Sequence, residues 1–186
     1  MSGNLKLNTT SGGSIALTPE NTASTITVTV PAVTATLLTT ATAGVPIGGP
    51  AFSAYLSANQ AGVASATQTK VALNVEDFDT NNCFNTANSR FTPTVAGYYQ
   101  FNGVLYFGGT GSYTGCTVFK NGVANTSGST TNANNGEVIS VVSCILYLNG
   151  TTDYVELYGF SVLVAGTGTF TANSTRFSGA MVRSAT

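Results

Sequence analysis

The chain has 186 residues, 42% of them apolar and only 7% charged, enough for one compact domain with a sizeable core and a modest extension. A formal charge of -1 with Lys+Arg 6 and no His argues against nucleic-acid binding, which needs clustered positive charge to displace counterions. No apolar run approaches the ~20 residues that cross a bilayer, and the opening MSGNLKLNTT lacks the charged and apolar segments of a signal peptide, so the expectation is assembly in a cytosol without membrane insertion.

An average soluble domain is roughly 25% charged; here Thr, Ser and Asn must supply the polar surface. With 21 Gly they favour strands and turns, and no stretch carries a helical period, so an all-β chain is expected. Ser14 to Thr18 is a short strand candidate after the Gly12-Gly13 turn. In Thr25 to Val30, Ile26, Val28 and Val30 fall on one face and the threonines on the other, which is period two. Pro31 ends that strand or places it at an edge. Residues 39–50, TTATAGVPIGGP, read as a linker. The organisation is therefore an arm over 1–45, a linker to about 50, and a main domain over 51–186.

From Ala51 the apolar runs are short and separated by turn signals. AFSAYLS (51–57) and TKVALNV (69–75) read as strands. In GYYQFNGVLYF (97–107), Tyr99, Phe101, Leu105 and Phe107 fall on one face, and Tyr98, Gln100, Asn102, Val104 and Tyr106 on the other. The first face is core; the second is mixed and fit to meet a partner subunit. Asn121-Gly122 is a hairpin signal, because both central positions of such a turn need positive φ. Asn149-Gly150 reads as a repeat of that device, with Val155 and Leu157 inward on the next strand, and TRFSGAMV closes the pattern. TSGSTTNANNGE (126–137) reads as a polar loop. Eight to ten strands of this kind fit an antiparallel sandwich or jelly roll.

Little in the sequence points to catalysis. Without His there is no Ser-His-Asp triad and no Cys-His dyad. GGTGSYTGC (108–116) is Gly-rich but lacks the Lys-Ser/Thr of a phosphate loop. Cys83, Cys116 and Cys144 are odd in number and widely spaced, which predicts buried free thiols rather than disulfides or a zinc site. Hence neither enzyme activity nor a cofactor is expected. The acidic run Glu76-Asp77-Phe78-Asp79 would place Asp77 and Asp79 on one strand face, a calcium candidate set against a plain solvated strand end. Tyr113, with Tyr98, Tyr106, Tyr147 and Tyr158, is open to two readings: a sugar platform, or core and interface aromatics.

Several motifs in collinear order carry a resemblance. Ala51-Phe52-Ser53-Ala54, Phe91-Thr92-Pro93 with Gly97-Tyr98-Tyr99-Gln100-Phe101, Lys120-Asn121-Gly122, Leu146 to Gly150 with Asp153 and Val155, and Phe177-Ser178-Gly179 together resemble the complement C1q globular domain, which shares its superfamily with tumour necrosis factor. The resemblance implies an antiparallel ten-stranded jelly-roll sandwich that assembles as a tight homotrimer. It also implies a positive φ at Gly97 and, since some members bind calcium, adds to the interest of Asp77 and Asp79. No collagen-like Gly-X-Y stretch stands upstream, so the secreted animal members are a poor functional model. GGSIALTPENTASTITVTVPAVTATLLTT is instead similar to a segment recurring in bacteriophage structural proteins, and EDFDTNNCFNTANSRFTPTVAGYYQ resembles phage and bacterial versions of the jelly roll. This implies a virion protein: a trimeric capsid decoration protein (cement or head fibre) anchored to capsid proteins through Ile26, Val28 and Val30. The alternative is a tail-fibre or tail-tip protein that binds a host-surface glycan or protein. A polysaccharide depolymerase ranks third.

Overall fold

The computed structural model describes residues 6–8, 14–16, 49–133 and 136–185. The chain divides into two compact units, Met1–Leu37 and Leu38–Thr186. In the first, β1 (Lys6–Asn8) pairs antiparallel with β2 (Ser14–Ala16), Leu7 opposite Ile15. The expected strand at 14–18 is thus found over its first three residues. The anchor candidates Ile26, Val28 and Val30, and the linker up to residue 48, lie outside the described residues.

The second unit contains β3 (Ala51–Tyr55), β4 (Gln60–Val63), β5 (Thr69–Lys70), β6 (Val75–Asp79), β7 (Phe84–Asn85), β8 (Arg90–Phe91), β9 (Gly97–Gly108), β10 (Gly111–Lys120), β11 (Val123–Ala133), β12 (Glu137–Leu148), β13 (Val155–Leu163), β14 (Gly168–Phe170) and β15 (Arg176–Ser184). These form two antiparallel sheets. One runs β12-β9-β15-β3-β6, with β14 and β4 added beside β9; the other runs β11-β10-β13-β8-β7, with β5 added beside β13. The two five-strand runs are the ten strands expected of the jelly roll. Between them lies one aromatic core. Phe52, Phe91, Tyr99, Phe101, Phe107, Phe170 and Phe177 are fully buried, and the Phe52 and Phe91 rings stack with centroids 4.5 Å apart. Burial pushes the Tyr99 hydroxyl well above its usual pKa, aided by Cys83 nearby, and that hydroxyl donates to the Val95 carbonyl at 2.6 Å.

The period-two reading of residues 97–107 holds throughout: Tyr99, Phe101, Leu105 and Phe107 are buried, and Tyr98 and Tyr106 point outward. Asn121 and Gly122 have φ of 52° and 78°, so the β10–β11 hairpin has its left-handed turn. Cys83 and Cys116 are buried free thiols, while Cys144 is half-buried.

Four expectations need correction. Gly97 does not take positive φ. Its glycine is required because a Cβ there would sit 2.5 Å from the Arg183 carbonyl oxygen of β15. The stretch 69–75 is not one strand: β5 belongs to one sheet and β6 to the other, and residues 71–74 cross between them. Val71 and Leu73 are fully buried on the way, so their apolar alternation is that of a core-filling crossover. Asn149-Gly150 is likewise no hairpin, because β12 pairs with β9 and β13 with β10. The Asn149 Oδ1 instead accepts from the amides of Thr151, Thr152 and Asp153, a local knot that turns the chain from one sheet into the other. Finally, most of the presumed loop 126–137 is strand. β11 runs to Ala133, and its Ser129 carbonyl accepts from the Ser140 hydroxyl of β12, which stitches the two sheets at that edge.

Candidate functional site

The outward faces of the two sheets are built from different chemistry. On β12, β9 and β15 the pairing register sets the outward residues in rows. Tyr147, Tyr98 and Arg183 form one row, then Ile145, Gln100 and Ala180, then Ser143, Asn102 and Ser178, then Val141, Val104 and Arg176, and last Ile139 with Tyr106. The tyrosine pair meets edge-on at 5.5 Å. Ile139, Val141 and Ile145 are each at least half exposed, Ile145 at 57%. Singly such residues are ordinary on a surface; side by side on one strand they form an apolar patch. With Val182, Tyr98, Tyr147 and Ile145 line a groove of about 470 Å³.

The middle of this face is polar and self-satisfied. Gln100 Nε2 donates to Ser143 Oγ at 2.8 Å, and Ser143 Oγ donates to Asn102 Oδ1 at 3.0 Å. At one end the Tyr106 hydroxyl donates to Glu137, and that hydrogen bond raises the Tyr106 pKa above its usual value. A uniform apolar sheet would allow a partner to slide; a fixed polar row within it defines one register.

The acidic run Glu76 to Asp79, the calcium candidate, sits at the far edge of the same sheet. A bulge in β6 puts Phe78 opposite Ser53 and Glu76 opposite Ala54, leaving Asp77 as the extra residue, so the plain alternation of the run is interrupted. Asp77 accepts both guanidinium nitrogens of Arg176, at 3.1 and 3.2 Å, and the Ser53 hydroxyl at 2.8 Å. Asp79 accepts the Phe84 amide at 2.7 Å and the Asn81 amide at 3.3 Å. These carboxylates do not fit a calcium site: each is spent on protein donors of its own. Among the described residues no group of three or more His, Cys, Asp or Glu is placed to hold a metal ion.

On the second sheet, the charged groups of the outward face are tied to one another. Glu156 of β13 is buried, and its Oε1 takes Lys70 Nζ from β5 at 2.6 Å and Arg90 from β8 at 2.9 Å. Arg90 also lies over the Tyr154 ring, 3.6 Å from its centroid. Phe119 stacks on Tyr158 at 3.9 Å. Burial, and then the Glu156 carboxylate, raise the Tyr158 pKa. Where β10 turns toward the loop at 149–154, Asp153 Oδ2 meets Lys120 Nζ at 3.1 Å and its Oδ1 accepts Asn121 Nδ2 at 2.7 Å. The Asn121 hydrogen bond, helped by Lys120, holds the Asp153 carboxyl below its ordinary pKa of 3.8. Further along, Tyr113 stands 44% exposed against Phe160.

The aromatics singled out in the sequence are therefore sorted by the fold. Tyr99, Phe101 and Phe107 are core, and Tyr98, Tyr106 and Tyr147 share the apolar outer face. Tyr158 and Tyr113 lie on the opposite sheet. Sequence reading missed the outward row Ile139, Val141 and Ile145. Its signal was present in VISVVSCILYL, which is apolar in both phases of a strand.

No protein-family model matches the chain, and no curated protein matches it in sequence. Solved structures do. The globular domain of zebrafish complement 1qA superposes with a TM-score of 0.52 at 20% identity, over 73% of this chain and 99% of that one. Murine APRIL superposes with 0.55 at 10% identity, over 72% and 98%. The Eiger TNF from S. frugiperda gives 0.54 at 8% identity, over 74% and 96%. The fold is the C1q/TNF-like jelly roll; identities this low speak to fold alone.

Proposed function

We propose that this chain is a bacteriophage virion structural protein: a homotrimeric capsid decoration protein, anchored through its N-terminal arm, with the jelly roll as the exposed knob. The observation that carries the self-assembly is the outward face of β12, β9 and β15, where Tyr98, Ile139, Val141, Ile145 and Tyr147 are exposed together around a fixed polar row. An apolar patch of this kind marks a surface that another protein covers. The exposed apolar side chains need no complementary charge on a partner, so a second copy can cover them.

The virion assignment rests on the likeness of residues 12–40 and 76–100 to phage structural segments. In this reading the arm, residues 1–45, adds a strand to a capsid subunit, with Ile26, Val28 and Val30 as side-chain contacts. Three arms per trimer multiply the affinity of one. The protein is assembled in the host cytoplasm and resides in the virion. Immunogold electron microscopy with antibody to this chain tests the assignment: label over the head supports it, label confined to the tail favours a receptor-binding fibre, and unlabelled virions refute both. A full-length chain carrying Ile26→Asp, Val28→Asp and Val30→Asp should still trimerise but fail to add back to virions lacking the protein.

A further inference from the structure

The second sheet carries a depression that the self-assembly face does not use. On the outward phase of β10, Tyr113 and Thr117 flank Gly115, so the floor between them has no side chain. Phe160 of β13 stands across from Tyr113, ring centroids 5.8 Å apart and planes at 82°. Gln68 and Ser127 close the remaining sides, and the space is about 230 Å³. That is smaller than the usual volume of a drug-sized pocket, roughly 300–1,000 Å³, and suits one small ring.

The lining is uncharged, which gives an ionic ligand nothing to pair with. Its polar groups are of the kind that recognise hydroxyls. The Gln68 amide and the Tyr113 hydroxyl make no hydrogen bond among the described residues, so both remain available. The Thr117 and Ser127 hydroxyls lie 3.2 Å apart, one donating to the other, which leaves one O–H and further lone pairs on the pair. Around them, two rings at right angles offer both an edge and a face to the C–H side of a ligand. Tyr106 and Tyr158 lack this freedom: the Tyr106 hydroxyl is held by Glu137, and the Tyr158 ring is stacked on Phe119.

We infer that the Tyr113–Gly115–Phe160 depression binds a single neutral hexopyranose unit of a glycan. One sugar face stacks on the Tyr113 ring. Its hydroxyls pair with the Gln68 amide and with the Thr117–Ser127 pair. The site stands on its own geometry and does not depend on where the protein resides.

Saturation-transfer NMR on the full-length protein with the methyl glycosides of glucose, galactose, mannose and N-acetylglucosamine tests this. Transfer to the ring protons of at least one glycoside is expected. Tyr113→Ala should weaken binding by roughly three- to tenfold, the worth of one aromatic contact. Gln68→Ala, at an exposed side chain, should weaken it as well. Both variants should keep the parent's melting temperature and mass in solution. If Tyr113→Ala fails to fold, Gln68→Ala and Gln68→Glu decide alone. Transfer to none of the four glycosides overturns the inference, as does transfer that the variants leave unchanged. A change of oligomeric mass in Tyr113→Ala would also overturn it, by showing this face to be an interface.

Discussion

The two sheets share one core and differ in what they turn outward. The face of β11, β10 and β13 resolves its charged groups internally: Glu156 is clamped by Lys70 and Arg90, and Asp153 by Lys120 and Asn121, while Tyr158 stacks on Phe119 and Tyr113 stays open. The face of β12, β9 and β15 leaves Ile139, Val141, Ile145, Tyr98 and Tyr147 in the open. A chain with seven acidic and six basic residues has few charges to place. It places a Lys–Arg–Glu cluster on the first face, and on the second an Arg176–Asp77 pair beside the exposed apolar side chains. The first face pairs its charged groups within one copy, and the second leaves a group of apolar side chains open.

The strongest way to probe that contrast is through the core common to both faces. Phe101 is fully buried and stacks with Phe177 at 5.7 Å. Phe101→Ala should cost roughly 3–5 kcal/mol of unfolding free energy, read by chemical denaturation. An unchanged midpoint would mean that the inward and outward phases of β9 are reversed.

Glu156→Ala comes next. It leaves Lys70 and Arg90, each about one-third exposed, without their shared carboxylate. A loss of about 2–3 kcal/mol is expected, below the full cost of an orphaned buried charge because water reaches both cations. Self-association should be unaffected, since the cluster lies on the other sheet; a fall in oligomeric mass would break the comparison.

Asp153 makes a smaller, pH-dependent contribution. Its folded pKa lies below the ordinary 3.8, so the native state binds this proton more weakly than the unfolded chain does. The stabilisation is therefore complete above 3.8 and is lost as pH falls through the lower folded value. Denaturation midpoints measured across the acid range should drop there in the parent and drop less in Asp153→Asn. Equal slopes would remove Asp153 from the account.

Tyr106→Phe should have the least effect in a single copy, because the Tyr106–Glu137 hydrogen bond is exposed. Little or no shift of the denaturation midpoint is expected. A large one would show that this end of the face is structural within the subunit.

What could be read from the sequence followed local rules. The phases of β9 were visible because one strand buries every second residue over its whole length, and Asn121-Gly122 because a two-residue turn needs left-handed backbone. The crossing at 71–74 was not visible, since Val71 and Leu73 alternate like a strand while the chain passes between sheets. The strand at 126–133 was hidden by a Ser/Thr-rich sequence that pairs through its backbone and through Ser129 rather than through apolar side chains. The clamp on Glu156 joins residues 70, 90 and 156 across three strands, a placement that only the tertiary fold reveals.

The central claim is that the β12-β9-β15 face is covered by other copies of this chain. Light scattering on the full-length protein at micromolar concentration tests it most directly, comparing the parent with Ile145→Asp/Val141→Asp, whose side chains are half exposed and outside the core. The account predicts three times the 18.9 kDa chain mass for the parent and a folded 18.9 kDa monomer for the variant. A monomeric parent, or a variant that keeps the parent's trimeric mass, would contradict it.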